Sequence, residues 1–325
     1  MKPFESFLAP HLEQYLAYRQ SLGYARWPTV SYLRTFDRYL EEKKRQWTLV
    51  QPSFFLDLRA KLTLAPRSVN EILCAARGFF QYLVRQGYYP ENPLQDVPPL
   101  PKNGFIPFVF SPEQIEQLLR AVGERVRKRP KHLAVDLAVY LALVLLARCG
   151  MRISEPLHLL RHHYQPKDKT LYIEKTKFKK DRLIPIPDSV AVEIENYLAV
   201  RSSFFSPERY NPFLLAGKGQ KPLRGDQVRS AFHKAVEDIG LNQPRRTLGN
   251  TNFGAPTPHS LRHSFAVNTL KRIKEKGKSP QNALPVLATY MGHSEYKYTA
   301  KYLKVVDAER RQALVDFAAS HKDTL

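Results

Sequence analysis

The stretch LAVDLAVYLALVLLARCGMRISEP, residues 133–156, joins the most apolar part of the chain to an arginine and a glutamate. Its apolar residues fall on nearly every helical face, which predicts a helix that is buried on all sides. The longest unbroken apolar run, residues 137–147, is too short to cross a bilayer, so we interpret it as the core of a folded domain. Gly150 then allows the backbone to turn where the helix ends.

Arg152 follows this apolar helix directly, and a guanidinium in such a place needs a partner of opposite charge. Glu155, three residues later, is one candidate, and the pair would then be purely structural. A bound anion is the other candidate, with Glu155 orienting Arg152 towards it. The residues of this segment leave both interpretations open.

The charge of the whole chain indicates what such an anion could be. The 325 residues contain 51 Lys and Arg against 30 Asp and Glu, a net charge of +21. The first 100 residues hold 13 of the basic and 9 of the acidic residues, so +17 of that excess lies in residues 101–325. Such an excess favours a polyanion, and nucleic acid is the preferred interpretation. High solubility and membrane-surface binding are the alternatives, but no basic amphipathic anchor is present.

The remaining composition indicates a folded cytoplasmic protein. Apolar residues make up 43% of the chain, which suffices for hydrophobic cores. The first residues, MKPFESFLAP, lack the apolar stretch of a signal peptide. Cys74 and Cys149 are far apart and match no zinc-site spacing, so they suit a reducing compartment.

The chain divides at a proline-rich segment. The stretch YYPENPLQDVPPLPKNGFIP, residues 88–107, contains six prolines and no periodic pattern, which predicts a semi-rigid linker. Three helical patterns precede it, and Ser111 opens a new helix after it as an N-cap residue. We therefore predict a helical domain over residues 1–100, a linker over residues 101–108 and a second domain over residues 109–325.

A lysine-rich segment predicts a small sheet in the second domain. The stretch TLYIEKTKFKKDRLIPIP, residues 170–187, has the pattern of two short strands around a turn, and Pro185 would place the second strand at a sheet edge. The other patterns of the domain are helical. The predicted fold class is therefore mainly α with a small antiparallel β-sheet.

The stretch TPHSLRHSF, residues 257–265, predicts a helix that begins with a basic face. Thr257 is a plausible N-cap, so His259, Arg262 and His263 fall on one face close to the N-terminus. The free N–H groups and the dipole of such a helix end favour a phosphate. A solvated basic face is the alternative, and the three residues alone do not decide between the two.

Four short motifs, in this order, resemble those of the tyrosine recombinase (phage integrase) family. They are RISEP with Arg152, HSLRH with His259 and Arg262, GH with His293, and a tyrosine nine positions later, Tyr302. The spacing of nine selects Tyr302 among the four tyrosines of YMGHSEYKYTAKYL, residues 290–303. The resemblance covers residues 109–303, and no single motif is as specific as their combination.

The resemblance implies a catalytic set and a mechanism. Tyr302 would attack a DNA phosphodiester, giving a 3′-phosphotyrosyl link and a free 5′-hydroxyl. Arg152 and Arg262 would neutralise the charge on the phosphate oxygens, since both are always-charged forked donors. His259 would exchange a proton with the phenol, and His293 would hydrogen-bond a phosphate oxygen. Because one phosphoester is exchanged for another, the resemblance implies no metal ion and no cofactor.

The resemblance also implies a catalytic lysine in a β-hairpin. The stretch TKFKKDRLIPI matches that hairpin and places Lys177 at the aligned position, where it would protonate the departing 5′-oxygen. The glycines that usually flank this lysine in the family are missing here. The neighbouring lysines that compete for the role are Lys175, Lys179 and Lys180.

The partners implied by the resemblance are duplex DNA and further copies of the chain. A helical, SAM-like N-terminal domain would help to clamp the DNA, and a homo-tetramer would act on two DNA sites, with helper recombinases in some members. The C-terminal tail has Leu314, Phe317 and Ala318 on one helical side, so it would dock onto a neighbouring protomer or pack on its own domain. The expected location is the bacterial cytoplasm, at the nucleoid, without a membrane partner.

The length of one segment favours a particular kind of family member, and two other functions remain as alternatives. The stretch between Arg262 and His293 looks long for a chromosomal recombinase, which favours a member carried by a mobile element. A type IB topoisomerase-like enzyme is the rival within the same chemistry. A catalytically silent DNA-binding accessory protein is the rival from another class, although the complete set of six residues argues against it.

Overall fold

The computed structural model of the chain describes residues 3–43, 50–101, 103–174, 181–204, 211–293, 295–303 and 305. It contains two compact units, residues 1–104 and residues 105–325. Each unit has a hydrophobic core of its own. Lys177, the three competing hairpin lysines and the C-terminal tail lie outside the described residues.

The N-terminal unit is helical and has an aromatic core. Its helices are α1 (Ala9–Ser21), α2 (Thr29–Glu42), α3 (Pro52–Lys61) and α4 (Pro66–Arg85). The ring of Phe36 lies at the centre, with centroid distances of 5.9 Å to both Phe55 and Phe80. The apolar residues of α4 recur at helical spacing and are buried; they include Val69, Ile72, Leu73, Ala76, Phe80 and Leu83. That helix ends at Arg85, and Gly87 follows shortly after it with a left-handed φ of 76°.

The proline-rich segment packs against the N-terminal unit for much of its length. Leu94 and Val97 are buried in the core, and the guanidinium of Arg77 donates to both of their carbonyl oxygens, at 3.1 and 2.7 Å. Asn70 on α4 bonds the backbone N–H and C=O of Leu100, each at 2.8 Å. The expectation of a linker from residue 88 onwards was therefore wrong up to Leu100, because buried side chains and carbonyl contacts hold this segment.

The second unit is mainly helical, with two small sheets. Its helices are α5 (Pro112–Glu124), α6 (Pro130–Cys149), α7 (Ser154–His158), α8 (Asp188–Phe204), α9 (Gly225–Asp238), α10 (Pro258–Glu275) and α11 (Pro280–Met291). Its strands are β1 (Gly104–Ile106), β2 (Tyr164–Gln165), β3 (Thr170–Ile173), β4 (Arg182–Pro185), β5 (Arg246–Leu248) and β6 (Thr251–Phe253). The fold class predicted from the sequence is confirmed.

Helix α6, the apolar segment quoted first, is the centre of the second unit. It packs against α5, α8, α9 and α10, and its residues 141–147 are all buried. The window His132–Cys149 is long and apolar enough to cross a membrane by length and composition, but 61% of it is buried inside the protein. The burial agrees with a core helix, and the helix is longer than the unbroken apolar run suggested.

The predicted sheet has the order β2-β3-β4 and is antiparallel throughout. Leu171 pairs with Ile184, and Pro185 lies in β4, which is an edge strand as predicted. A second sheet, with the order β1-β6-β5, was not predicted. Its strands are three residues long, too short for alternation to be recognised. Strand β1 falls within residues 101–108, so that stretch is not an irregular linker throughout.

Two helix starts follow from their capping residues. The Ser111 hydroxyl accepts the N–H of Gln114 at 3.2 Å, as expected of the predicted N-cap, and the Gln114 side chain accepts the N–H of Ser111 at 2.9 Å, which completes a capping box of α5. Thr257 precedes α10, where the Ser260 hydroxyl accepts its N–H at 3.1 Å. The helix that carries the basic face therefore begins where the sequence indicated.

Candidate active site

Two helices of the second unit end in the same way, and their ends build the site. Helix α6 stops at Gly150 and α11 at Gly292, both left-handed, with φ of 57° and 65°. A β-carbon on Gly150 would lie 2.3 Å from the Phe265 ring, and one on Gly292 would lie 2.8 Å from the guanidinium of Arg182. Only glycine fits both the backbone angle and the space at these two turns.

Arg262, on α10, lies against both of these helix ends. It is 1% exposed, and its guanidinium donates to the carbonyl oxygens of Gly150 and Met291, each at 2.6 Å. The carbonyls at a helix C-terminus lack partners within the helix and carry partial negative charge, so they are suitable acceptors for a cation. The Arg262 side chain is therefore held by backbone rather than by a carboxylate.

Arg152 is held by a carboxylate and by the second helix end. Its Nη1 donates to Glu155 Oε1 at 2.8 Å, and its Nη2 donates to the carbonyl oxygen of Gly292 at 2.6 Å. The side chain of Arg152 is 20% exposed and that of Glu155 6%. Glu155 is thus the partner that the sequence suggested for Arg152, and it leaves N–H groups of the guanidinium for a further acceptor.

Arg182, at the start of β4, completes a cluster around Glu155. Its two Nη atoms donate to the two oxygens of that carboxylate at 3.0 and 2.9 Å, and its Nε donates to the carbonyl of Tyr290 at 2.9 Å. Burial opposes ionisation of Glu155, but the Arg182 hydrogen bonds and charge, the Arg152 N–H and the Arg262 charge outweigh it and lower its pKa. Glu155 is therefore a carboxylate at neutral pH.

The described side chains of this cluster carry three guanidinium charges, on Arg152, Arg182 and Arg262, against the single carboxylate of Glu155. Burial, and next the charge of Arg152, lower the pKa of Arg262 to about 9, while Glu155 opposes the shift. A buried excess of positive charge is unfavourable until an anion neutralises it. The arrangement is therefore suited to a phosphate.

Tyr302 lies beside the arginines with its hydroxyl enclosed. It belongs to the helical residues 297–303 and is 5% exposed. Its Oη lies 3.0 Å from Nδ1 of His263. Burial raises the pKa of Tyr302, whereas the charges of Arg262 and Arg152 act against this rise. The phenol is thus protonated at neutral pH but lies in a positive field that favours its anion.

Two further histidines surround the tyrosine. The ring of His293 is nearly parallel to that of Tyr302, with 6.3 Å between centroids, and its Nδ1 lies 2.7 Å from the hydroxyl of buried Thr299. His259 is exposed, and its ring meets the ring of His263 edge-on at 4.5 Å. Desolvation and then the nearby positive charges lower the pKa of His259 to about 4 and that of His293 to about 3.

The structure therefore groups five of the six residues proposed from the sequence, which are Arg152, His259, Arg262, His293 and Tyr302. The sixth, Lys177, is outside the described residues. The sequence did not single out Arg182, although its place at the start of the edge strand, just after the lysine-rich turn, was a usable signal. The sequence placed His263 on the same helical face as Arg262, but it did not predict the contact between His263 and Tyr302.

The other tyrosines of residues 290–303 have different surroundings, although the ring of Tyr298 meets that of His293 edge-on, with 6.4 Å between centroids. Tyr290 stacks on Phe265 at 5.5 Å, and its hydroxyl donates to the carbonyl of Pro185 at 3.1 Å. Tyr296 and Tyr298 are 50% and 41% exposed. Among these four phenols, Tyr302 is the one that the arginines and His263 surround.

Comparison with known proteins agrees with this geometry. The sequence profile of the phage integrase family matches residues 109–309, more than half of the chain. The chain belongs to the phage integrase family. As a member it is a tyrosine recombinase, an enzyme of site-specific DNA strand breakage and rejoining.

Curated relatives extend the likeness to almost the whole chain. A putative integrase/recombinase of Sinorhizobium fredii, y4rE, is 29% identical over 312 residues, which is 93% of each chain. The tyrosine recombinase XerA of Pyrococcus horikoshii is 24% identical over 306 residues, covering 93% of this chain and 92% of that protein.

Solved structures share the fold at lower identity. A lambda integrase dimer bound to a COC′ core site gives a TM-score of 0.64 at 15% identity, over 91% of this chain and 76% of that one. The XerH recombinase in a pre-cleavage complex with its difH substrate gives 0.62 at 18% identity, over 86% and 77% of the two chains. The architecture of the described residues is that of this family.

Proposed function

We propose that the chain cleaves one DNA strand at a time through Tyr302 and rejoins it to a different strand. The observation that carries this proposal is the position of the Tyr302 hydroxyl, which is enclosed beside a histidine and within the field of Arg152 and Arg262. A phenol with an ordinary pKa near 10 is a weak nucleophile, and it needs positive charge and a proton acceptor at close range. Both are present here.

In this proposal Arg152 and Arg262 bind the scissile phosphate. As Tyr302 Oη bonds to phosphorus, negative charge accumulates on the non-bridging oxygens, and fixed guanidinium groups stabilise it without reorganisation. Their anchoring to Glu155 and to the ends of α6 and α11 keeps them in place before DNA arrives. His293, held by Thr299, is assigned to a phosphate oxygen.

The departing 5′-oxygen needs a proton from an acid, and in rejoining the 5′-hydroxyl gives that proton back. The family resemblance assigns this role to Lys177 of the hairpin, and it stays a prediction because Lys177 is outside the described residues. In the reverse step a 5′-hydroxyl attacks the phosphotyrosyl bond, the link to Tyr302 breaks, and the phenol regains its proton. The energy of the phosphodiester is conserved, so this scheme needs no cofactor.

The DNA partner and the assembly are inferred from charge and from similar proteins. Most of the excess positive charge, +17 of +21, lies in residues 101–325, in the part that contains the site. Similar structures include a lambda integrase dimer on a core site and a tetramer on a Holliday junction. We infer that this chain likewise binds duplex DNA and assembles as a tetramer on two sites, inside the cell and close to the nucleoid.

Incubation with DNA from either side of its own gene, followed by mapping of covalent complexes, tests the proposal. Adducts at discrete positions, with strands joined between two DNA molecules, are the expected result. Relaxation of a supercoiled plasmid without any joined products would instead support the topoisomerase-like alternative. Binding to DNA without any adduct would support the silent accessory protein.

A further inference from the structure

The Tyr302 hydroxyl has a specific neighbour that the motif-based assignment does not use. Nδ1 of His263, on α10, lies 3.0 Å from it, although the two residues are 39 positions apart. Among the described residues this is the side chain within hydrogen-bonding distance of that oxygen. We propose that His263 is the residue that accepts the proton of Tyr302 when the phenol attacks DNA, an inference that rests on the proposed function of Tyr302.

The protonation state of each partner allows the phenol to donate and the imidazole to accept. Burial raises the pKa of Tyr302, so its hydroxyl keeps its proton at neutral pH and can donate. Desolvation, with the charges of His259, Arg262 and His293, lowers the pKa of His263 to about 3, so its imidazole is neutral. A neutral imidazole accepts at one nitrogen and donates at the other. In the proposal Nδ1 is the nitrogen that accepts, and the ring proton is on Nε2.

His259, the histidine of the family motif, is less well placed for this step. Its side chain makes no hydrogen bond to another described residue, whereas its ring packs edge-on against His263 at 4.5 Å. It is exposed, while Tyr302 is enclosed. His293 is committed to Thr299 through Nδ1. This leaves His259 at the open side of the group, where it can meet a phosphate, and His263 at the tyrosine.

The attack of Tyr302 on phosphorus needs no reagent other than His263, because each bond that breaks is matched by one that forms. The O–H bond of Tyr302 breaks and its proton moves to Nδ1 of His263, while Oη bonds to phosphorus and the bond from phosphorus to the 5′-oxygen breaks. The proton for that leaving oxygen comes from a separate acid, as in the proposed function. Rejoining reverses the transfer, and the imidazolium of His263 returns its proton to Tyr302.

Bound DNA makes His263 a better base than it is in the free protein. Part of its low pKa comes from positive neighbours, among them Arg262. A phosphate beside the arginines offsets that charge, which raises the pKa of the imidazole towards its ordinary value. Proton transfer is then favoured once substrate is in place and is suppressed before, so the tyrosine is not activated towards water or solutes.

The variant His263→Asn tests the proposal, since asparagine keeps a polar atom close to the position of Nδ1 but accepts no proton near neutral pH. The rate of covalent adduct formation is measured in single-turnover experiments from pH 5 to 9. The DNA is a suicide substrate that contains a cleavage site mapped in the DNA on either side of the gene. General-base catalysis contributes about 10²- to 10⁴-fold. We expect a loss of that size in His263→Asn, together with loss of the acidic limb of the pH profile. His233→Asn, at an exposed position on α9 outside the cluster, serves as the matched control and is expected to react like the wild type.

A substrate with sulfur in place of the 5′-bridging oxygen separates the two proton transfers. Sulfur leaves without a proton, so it compensates for a missing acid but not for a missing base. We expect the His263→Asn defect to persist on this substrate. Wild-type rates for His263→Asn, or full recovery on the sulfur substrate, would overturn the proposal while leaving the role of Tyr302 intact. Absence of any adduct with the wild-type protein would overturn both.

A spectroscopic measurement on the wild-type protein does not depend on how the variant folds. Nitrogen-15 NMR of the histidine rings at pH 7 distinguishes an unprotonated acceptor Nδ1 from a protonated one. We expect the acceptor signal at Nδ1 of His263, shifted in Tyr302→Phe because that protein lacks the donor. A proton on Nδ1 in the wild type would contradict the inference, because that nitrogen could then not accept from the phenol.

Discussion

Arg182 and Glu155 form a two-point ion pair inside the second unit, with Nη–Oε distances of 3.0 and 2.9 Å and with 8% and 6% of their side chains exposed. The same carboxylate holds Arg152. Removal of Arg182 should therefore affect Arg152, which is proposed to be catalytic, because both arginines bind Glu155.

The variant Arg182→Met tests this coupling. It leaves the Glu155 carboxylate buried with one guanidinium fewer, and breaking a buried pair of this kind costs about 3 kcal/mol of unfolding free energy. We also expect slower adduct formation, because Glu155, which orients Arg152, is no longer fixed by Arg182. Urea unfolding and single-turnover cleavage check the two effects. Arg125→Met, which breaks the exposed pair with Asp238, is the control, and an equally large loss there would contradict the explanation.

The glycine turns give a second prediction. Gly150→Ala introduces a β-carbon 2.3 Å from Phe265 at a left-handed φ, whereas Gly277→Ala introduces one at φ 72° with no atom within 4 Å. The left-handed backbone alone should lower the free energy of unfolding by about 1 kcal/mol in both variants. In Gly150→Ala the clash with Phe265 should lower it by about 2 kcal/mol more. Thermal unfolding should therefore show a clearly larger loss for Gly150→Ala. Equal losses would mean that packing at this helix end does not matter.

The lowered pKa values of three histidines predict how the free energy of unfolding depends on pH. The pKa values of His259, His263 and His293 lie at about 4, 3 and 3, below the ordinary value near 6.5. Between these values the unfolded chain binds protons that the folded chain does not, so the free energy of unfolding falls as pH falls from about 6.5 towards 4. Urea titrations at pH 7.5, 6 and 5 measure this. A stability that is constant or rises over that range would refute the prediction.

The unit boundary predicts where a protease acts. Because Leu94, Val97 and Leu100 are held to the N-terminal unit, limited proteolysis of the free protein should cut after Leu100, close to residue 104, rather than at Tyr89–Leu100. Mass spectrometry of the fragments locates the cut. First cleavage within Tyr89–Leu100 would contradict the packing of this segment.

The sequence predicted the features that arise from local chemistry. The all-apolar α6, the N-cap of α5 and the Pro185 edge strand each follow from a short pattern, whereas the nine-residue step to Tyr302 came from the family resemblance. What it did not predict depends on residues distant in the chain. The packing of Arg77 on the proline-rich segment spans 20 residues, and the contact of His263 with Tyr302 spans 39.

Charge pairing shows the same limit. The sequence offered Glu155 to Arg152 because they are three residues apart, and this pair is present. It did not connect Arg182 with Glu155, which is 27 residues away and is reached because β4 lies beside the end of α11. The second sheet was missed because three-residue strands carry no period that a sequence pattern can show.

The central claim is that Tyr302 forms the bond to DNA, and isolation of the adduct tests it most directly. Labelled DNA with a 5′-bridging phosphorothiolate traps the phosphotyrosyl intermediate, and a denaturing gel separates the adduct. The wild type and Tyr298→Phe, a phenol 41% exposed and four residues away, should both form the adduct, whereas Tyr302→Phe should bind DNA and form none. A trapped adduct with Tyr302→Phe, or a DNA-linked peptide that carries its phosphate on another tyrosine, would contradict the claim.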